Sequence, residues 1–188
     1  MSLKEYIFSL RKFILAAFLI FSFAVLMGYL SAQSSPEETK IVLEEFKKIL
    51  EPILEMPSFG QFLIVFLNNS FTVFLAVVLG VIFGILPFLV LFINGLILGI
   101  VIYFTQTVAG WPTFFALILP HGIIEIPAVI LACAAGLRLG KVVLERIFKK
   151  EVSIKAELNL ALIFFLKFLF PLLAIAAAIE IFLISQLL

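Results

Sequence analysis

The chain has 188 residues, 64% of them hydrophobic and 13% charged, with a formal net charge of +1 and a mean hydropathy of +1.30. Soluble domains carry roughly 25% charged residues and about half apolar ones, so a water-exposed globule is excluded and lipid must solvate much of the surface. No basic cluster is dense enough to track the phosphates of a nucleic acid, and a single cysteine, Cys133, excludes an intrachain disulfide.

At the N-terminus, Lys4, Arg11 and Lys12 precede an apolar run from Phe13 to Leu30. That run is about 18 residues, longer than the roughly 7–15 of a cleavable signal. No small-x-small cleavage site follows it, because Leu30 stands in the wrong place before Ala32. It reads as a retained first span, 6–30. Polar residues then take over from Ser31 to Pro57. Ser35-Pro36-Glu37-Glu38 predicts a helix start, with Ser35 as cap, Pro36 at the first position and Glu38 completing a capping box. Val42, Phe46, Ile49, Leu50 and Ile53 recur at helical spacing between Glu44, Glu45, Lys47, Lys48 and Glu51. This is an amphipathic helix for the membrane surface or for the other helices, ended or bent at Pro52.

No Asp, Glu, Lys or Arg occurs between Glu55 and Glu125. A hydrocarbon core about 30 Å thick takes roughly 20 apolar residues per helix, so this gap alone holds two to three spans. The second is read over 60–84 and the third over 87–108, with Leu86-Pro87 as a tight turn between them. Ala109-Gly110-Trp111-Pro112 is an interfacial turn, a depth that suits Trp111. The fourth span, 113–136, contains Pro120 and is expected to kink there. A polar connector, 137–157, leads to the fifth span, 160–187, where Lys167 can snorkel and Pro171 marks a second kink. The fold expected is an all-α transmembrane bundle of about five spans in one domain, 1–188, with an outer amphipathic helix and a cytoplasmic helical connector.

Orientation follows from basic residues near the span ends. The N-terminal end and the connector, with Arg138, Lys141, Arg146, Lys149, Lys150 and Lys155, are basic; the 31–57 segment sets three lysines against six glutamates. A cell-membrane protein with its N-terminus in the cytoplasm and its C-terminus outside is expected.

Ionisable and amide groups inside a span are costly unless neutralised, paired or wetted, and they mark function by default. Asn68, Asn94, His121, Glu125 and Glu180 stand out. His121 and Glu125 are four apart and share a helix face. At a rise of about 1.5 Å per residue, Asn68, His121 and Glu180 lie roughly 12 Å and Glu125 about 18 Å from the outer ends, with Asn94 nearer the cytoplasmic side. The functional reading is a buried polar site for a proton, a cation or a metal, with His121, Glu125 and Glu180 as candidate ligands and zinc as a candidate ion. The structural reading makes these groups interhelical hydrogen-bond partners.

An intramembrane metal-dependent hydrolase is the weaker alternative, since there is one histidine and no His-Glu-x-x-His run. No aspartate exists to build a Ser-based triad, so no catalytic residue is assigned. Gly80 and Gly84, Gly95 and Gly99, and Gly136 and Gly140 are each four apart, spaced for close helix packing inside the bundle or across a homodimer. A membrane scaffold that recruits other membrane proteins and a small proton- or cation-binding transporter or channel both remain open.

Leu119-Pro120-His121-Gly122-Ile123-Ile124-Glu125-Ile126-Pro127-Ala128, followed by Ala134-Ala135-Gly136-Leu137-Arg138-Leu139-Gly140, resembles the stage II sporulation protein M family. That family shows a P-H-G-x-x-E-x-x-A segment leading into a Gly-Leu-x-Leu-Gly run. Asn68-Asn69, Asn94-Gly95 and Ile179-Glu180 also resemble family positions, so the resemblance runs from about Gly60 to the end. It implies a polytopic membrane protein. The namesake works in spore formers as a membrane anchor or scaffold in a complex with cell-wall-degrading proteins. Relatives occur in organisms that make no spores, so sporulation does not carry over.

Overall fold

The structure is a computed structural model that describes residues 2–117, 119–148 and 150–187; the side chains of 42, 46, 47, 49, 50, 54, 109, 113–117, 119–121 and 183–187 lie outside the description. The described elements are helices, in the order α1 (Leu3–Ser9), α2 (Arg11–Ser34), α3 (Pro36–Leu54), α4 (Ser58–Val78), α5 (Ile85–Leu117), α6 (Leu119–Ile147), α7 (Ile154–Phe164) and α8 (Phe170–Leu187). Five stretches are long and apolar enough to cross a membrane: Arg11–Ser34, Ser58–Val81, Ile85–Val108, Gly122–Ile147 and Ile154–Phe182.

Several boundaries differ from those the sequence suggested, each for a local reason. The first span starts after Leu10, because Ser2 and Glu5 close a capping box around a separate short helix, with Glu5 N–H donating to Ser2 Oγ at 3.3 Å and Ser2 N–H to the Glu5 carboxylate at 2.9 Å. The box expected at Ser35 does not form; Pro36 does occupy the first turn of α3, and the Ser35 carbonyl accepts from Thr39 Oγ1 at 2.8 Å. Pro52 lies inside α3, which ends two residues later.

The turn expected at Leu86-Pro87 falls earlier. A 3₁₀ turn over Leu79–Val81 is followed by Phe83 at φ 52° and Gly84 at φ 75°, and Pro87 lies in the first turn of α5. Gly84 reverses the chain at little cost because it has no Cβ. Gly110, at φ 79° and ψ 168°, interrupts α5 just before Trp111.

The fourth span is shifted as well. The described part of α6 runs Leu119–Ile147 and its apolar stretch Gly122–Ile147, past the end expected at 136, with Pro127 inside the helix. The expected helical connector is realised as the last turns of α6 and the start of α7. In the fifth span a π turn over Phe165–Leu169 precedes Pro171, the wide turn accommodating a residue that can neither donate a hydrogen bond nor tolerate the carbonyl four residues back.

α6 is the hub. Within its span 56% of the apolar window is buried, against 22% for each of the first three spans and 33% for the last. Its buried row Ala128, Ala132, Ala134, Ala135 and Gly136 explains this: small side chains let neighbouring backbones approach. A Cβ on Gly80 would collide with the Gly136 backbone, and one on Gly136 with the Ala76 carbonyl, so α4 and its 3₁₀ turn meet α6 backbone to backbone. Gly140 packs on Gly84, and Gly95 and Gly99 admit the backbone of α2 against α5. α4 joins α8 and its π turn through rings, Phe66 on Phe170 at 4.9 Å and Phe74 on Phe165 at 5.5 Å. Phe18, Leu19, Phe23, Leu67, Phe71 and Phe182 among others remain exposed, as expected of a lipid-facing surface.

Candidate functional site

Where α2, α5 and α6 meet, they leave a cavity of about 300 Å³ lined by Phe21, Asn94, Ile97, Leu98, Val101, Gly122, Glu125, Ile126 and Val129. Each helix supplies a different part. α2 contributes an aromatic wall, Phe21. α5 contributes Asn94 with aliphatic residues one turn and two turns further on. α6 contributes Gly122, whose lack of a side chain keeps the space open, and Glu125, half-buried one turn away.

Asn94 donates its Nδ2 to the Val90 carbonyl at 2.8 Å. A carbonyl can only accept, so this bond fixes the orientation of the amide and leaves Oδ1 and the second amide hydrogen for other partners. A carboxyl and a carboxamide therefore open on one space whose other described walls are hydrocarbon and one ring. An ionisable group inside a span is costly unless it is neutralised, paired or wetted.

The sequence placed Asn94 apart from the other polar groups, nearer the cytoplasmic side; the structure brings it to Glu125. Asn68 and Glu180 are not among the residues that line the cavity. Asn68 is exposed on α4, with Nδ2 3.4 Å from Asn69 Oδ1. Glu180 is half-buried on α8, which packs on α4 and α6. The His121 side chain lies outside the described residues, although its backbone is one residue from Gly122 on the cavity wall. Among the described residues, no three His, Cys, Asp or Glu side chains come together to hold a metal.

A second polar centre was not foreseen. Arg138 and Glu157, placed by sequence in a solvated connector, form a buried two-pronged pair with Nε–Oε1 at 2.6 Å and Nη2–Oε2 at 3.1 Å. Their side chains are 15% and 7% exposed. The guanidinium carbon lies 5.1 Å from the ring centre of fully buried Tyr6, whose edge meets Phe164 at 6.0 Å. Among the described residues the Tyr6 hydroxyl finds no hydrogen-bond partner. Burial first, and the Glu157 charge second, push this phenol above its ordinary value, with Arg138 opposing. The signal was present in the sequence: apolar residues continue at helical spacing past Gly136, which puts Arg138 inside a helix.

The family model for stage II sporulation protein M matches residues 17–184. An uncharacterized protein of Methanocaldococcus jannaschii is 30% identical over 177 residues, covering 90% of this chain and 92% of that protein. A second uncharacterized protein of the same organism is 32% identical over 136 residues, 71% of this chain and 58% of its own length. No solved structure matches the chain.

Proposed function

We propose, from the premise that this chain belongs to the stage II sporulation protein M family, that it is a transport-associated membrane component that binds a proton or small cation in the Asn94–Glu125 cavity. The observation that carries this reading is the cavity itself: a carboxyl on the most buried span facing open space together with a carboxamide from a neighbouring span. Intramembrane carboxyl groups that line a cavity mark ion and proton paths. In this reading Glu125 carries the exchangeable charge, Asn94 orients what enters, and Phe21 with the aliphatic wall keeps bulk water out.

The spans cross the bilayer five times with the N-terminus in the cytoplasm and the C-terminus outside. The contact of Tyr6 with Arg138 supports this arrangement, since it gathers the basic N-terminal end and the basic α6–α7 junction at one end of the bundle.

Proton and cation flux in proteoliposomes tests the reading. Glu125→Gln is expected to reduce flux to the level of empty vesicles while thermal unfolding stays within a few degrees of wild type. Glu180→Gln, outside the cavity, is expected to keep both. Flux that survives Glu125→Gln, or a variant that merely unfolds earlier, would sink the proposal.

One observation favours a second reading, a membrane scaffold. α3 is a helix of 19 residues held at both ends by spans, with Ile41 62% exposed among its charged side chains. It offers a face for another membrane protein. Ile41→Glu would then leave flux unchanged and abolish co-purification with partners from native membranes, whereas unchanged co-purification would remove this reading.

A further inference from the structure

α1 packs against α2 and α7, anchored by Tyr6 beneath Arg138 and against Phe164. Its opposite side is open. Leu3, Lys4, Ile7 and Phe8 form, with Phe168 of the π turn, a groove of about 550 Å³. Phe8 and Phe168 are 65% and 47% exposed, and Phe168 belongs to the last membrane-spanning stretch. The groove therefore runs from the basic end of the helices into the apolar layer.

Its walls are hydrocarbon and rings, and its rim is cationic. Lys4 lines the groove, and the Arg11 guanidinium carbon lies 4.6 Å from the ring centre of Phe8 on the wall. Among the described residues no Asp or Glu lines the groove. The carboxylate of α1, Glu5, is turned back onto the Ser2 N–H. Among the described residues neither Lys4 nor Arg11 forms an ion pair, while Arg138, at the same end, is committed to Glu157.

We propose that this groove seats one anionic phospholipid, an acyl chain lying on Ile7, Phe8 and Phe168 and the phosphate held between Lys4 and Arg11. The charge pattern selects the headgroup. A zwitterionic lipid would bring its own ammonium beside two cations, whereas an anionic one brings only the charge they lack. Arg11 suits phosphate as a planar donor, and Lys4 acts as a point charge on a flexible stem. α1 is thereby held down on its open side by lipid as it is on its other side by Tyr6.

The test is native mass spectrometry of the full chain in detergent, titrated with phosphatidylglycerol and with phosphatidylcholine. One phosphatidylglycerol is expected to bind about twenty-five-fold more tightly than phosphatidylcholine, at roughly fivefold for each of the two basic residues. Lys4→Gln with Arg11→Gln is expected to erase that preference. Lys12→Gln removes a positive charge from the same end without touching the groove and is expected to keep it. Equal binding of the two lipids by wild type, or an equal loss with Lys12→Gln, overturns the proposal. So does a dimer that cross-links through position 8, because a second copy would then occupy the groove. Lys4→Arg, which keeps the fold and the charge, should retain the preference; its loss there would also overturn the proposal.

Discussion

α6 carries an ionisable side chain at each of two levels, and the surroundings treat them in opposite ways. Glu125, near one end, faces a cavity of about 300 Å³ shared with α2 and α5. Arg138, near the other, is closed by both oxygens of Glu157 and covered by the ring of Tyr6. A guanidinium fork matched to a carboxylate satisfies both charges where they stand, so the second centre is suited to holding α1, α6 and α7 together. The same helix thus places one charge in a closed two-pronged pair and another carboxyl on the wall of a cavity.

The sharpest way to break this contrast is at the fixed charge. Removing one member of a buried pair leaves the other uncompensated, at about 3–5 kcal/mol. Glu157→Ala is therefore expected to lower unfolding stability by that amount in detergent. Arg138→Met with Glu157→Leu should recover most of the loss, since apolar replacement of both partners is often neutral. A double variant as unstable as the single one would show that the pair contributes more than mutual neutralisation.

A smaller effect tests whether both centres depend on the packing of α6. Gly136→Ala drives a methyl group into the Ala76 carbonyl, and overpacking of this kind costs about 1–3 kcal/mol. Because Gly136 lies between the two levels, cavity-dependent flux and stability should fall together. Flux unchanged in a destabilised variant would uncouple the centres.

The smallest effect concerns Tyr6. Its hydroxyl has no hydrogen-bond partner among the described residues, so Tyr6→Phe is expected to change stability at neutral pH by less than about 1 kcal/mol. The difference should appear in alkali. The phenol is raised in the folded state by burial and by Glu157, so the folded protein resists its ionisation. Stability is full below the unfolded value near 10 and is lost progressively as pH rises above it. In Tyr6→Phe that component of alkaline destabilisation disappears. Identical alkaline unfolding of the two proteins would show that Tyr6 is not shielded.

Composition and charge spacing determined the class of this molecule and the number of long apolar helices, because a charge-free run and the thickness of a bilayer leave few other solutions. The His-Gly-x-x-Glu and Gly-Leu-x-Leu-Gly segments were enough to carry the family. Span ends were less legible. Sequence punctuation marked Leu86-Pro87 as a break, but proline is tolerated in the first turn of a helix, and the reversal was made instead at Phe83 and Gly84. Which polar residues share a space was decided only by tertiary packing. Depth along a helix can be counted from one chain, whereas facing depends on how helices rotate against each other. That rotation is set here by close backbone approaches at Gly80, Gly136 and Gly140. It is why Asn94 and Glu125 line one cavity, and why Arg138 and Glu157, distant in sequence, close into one pair.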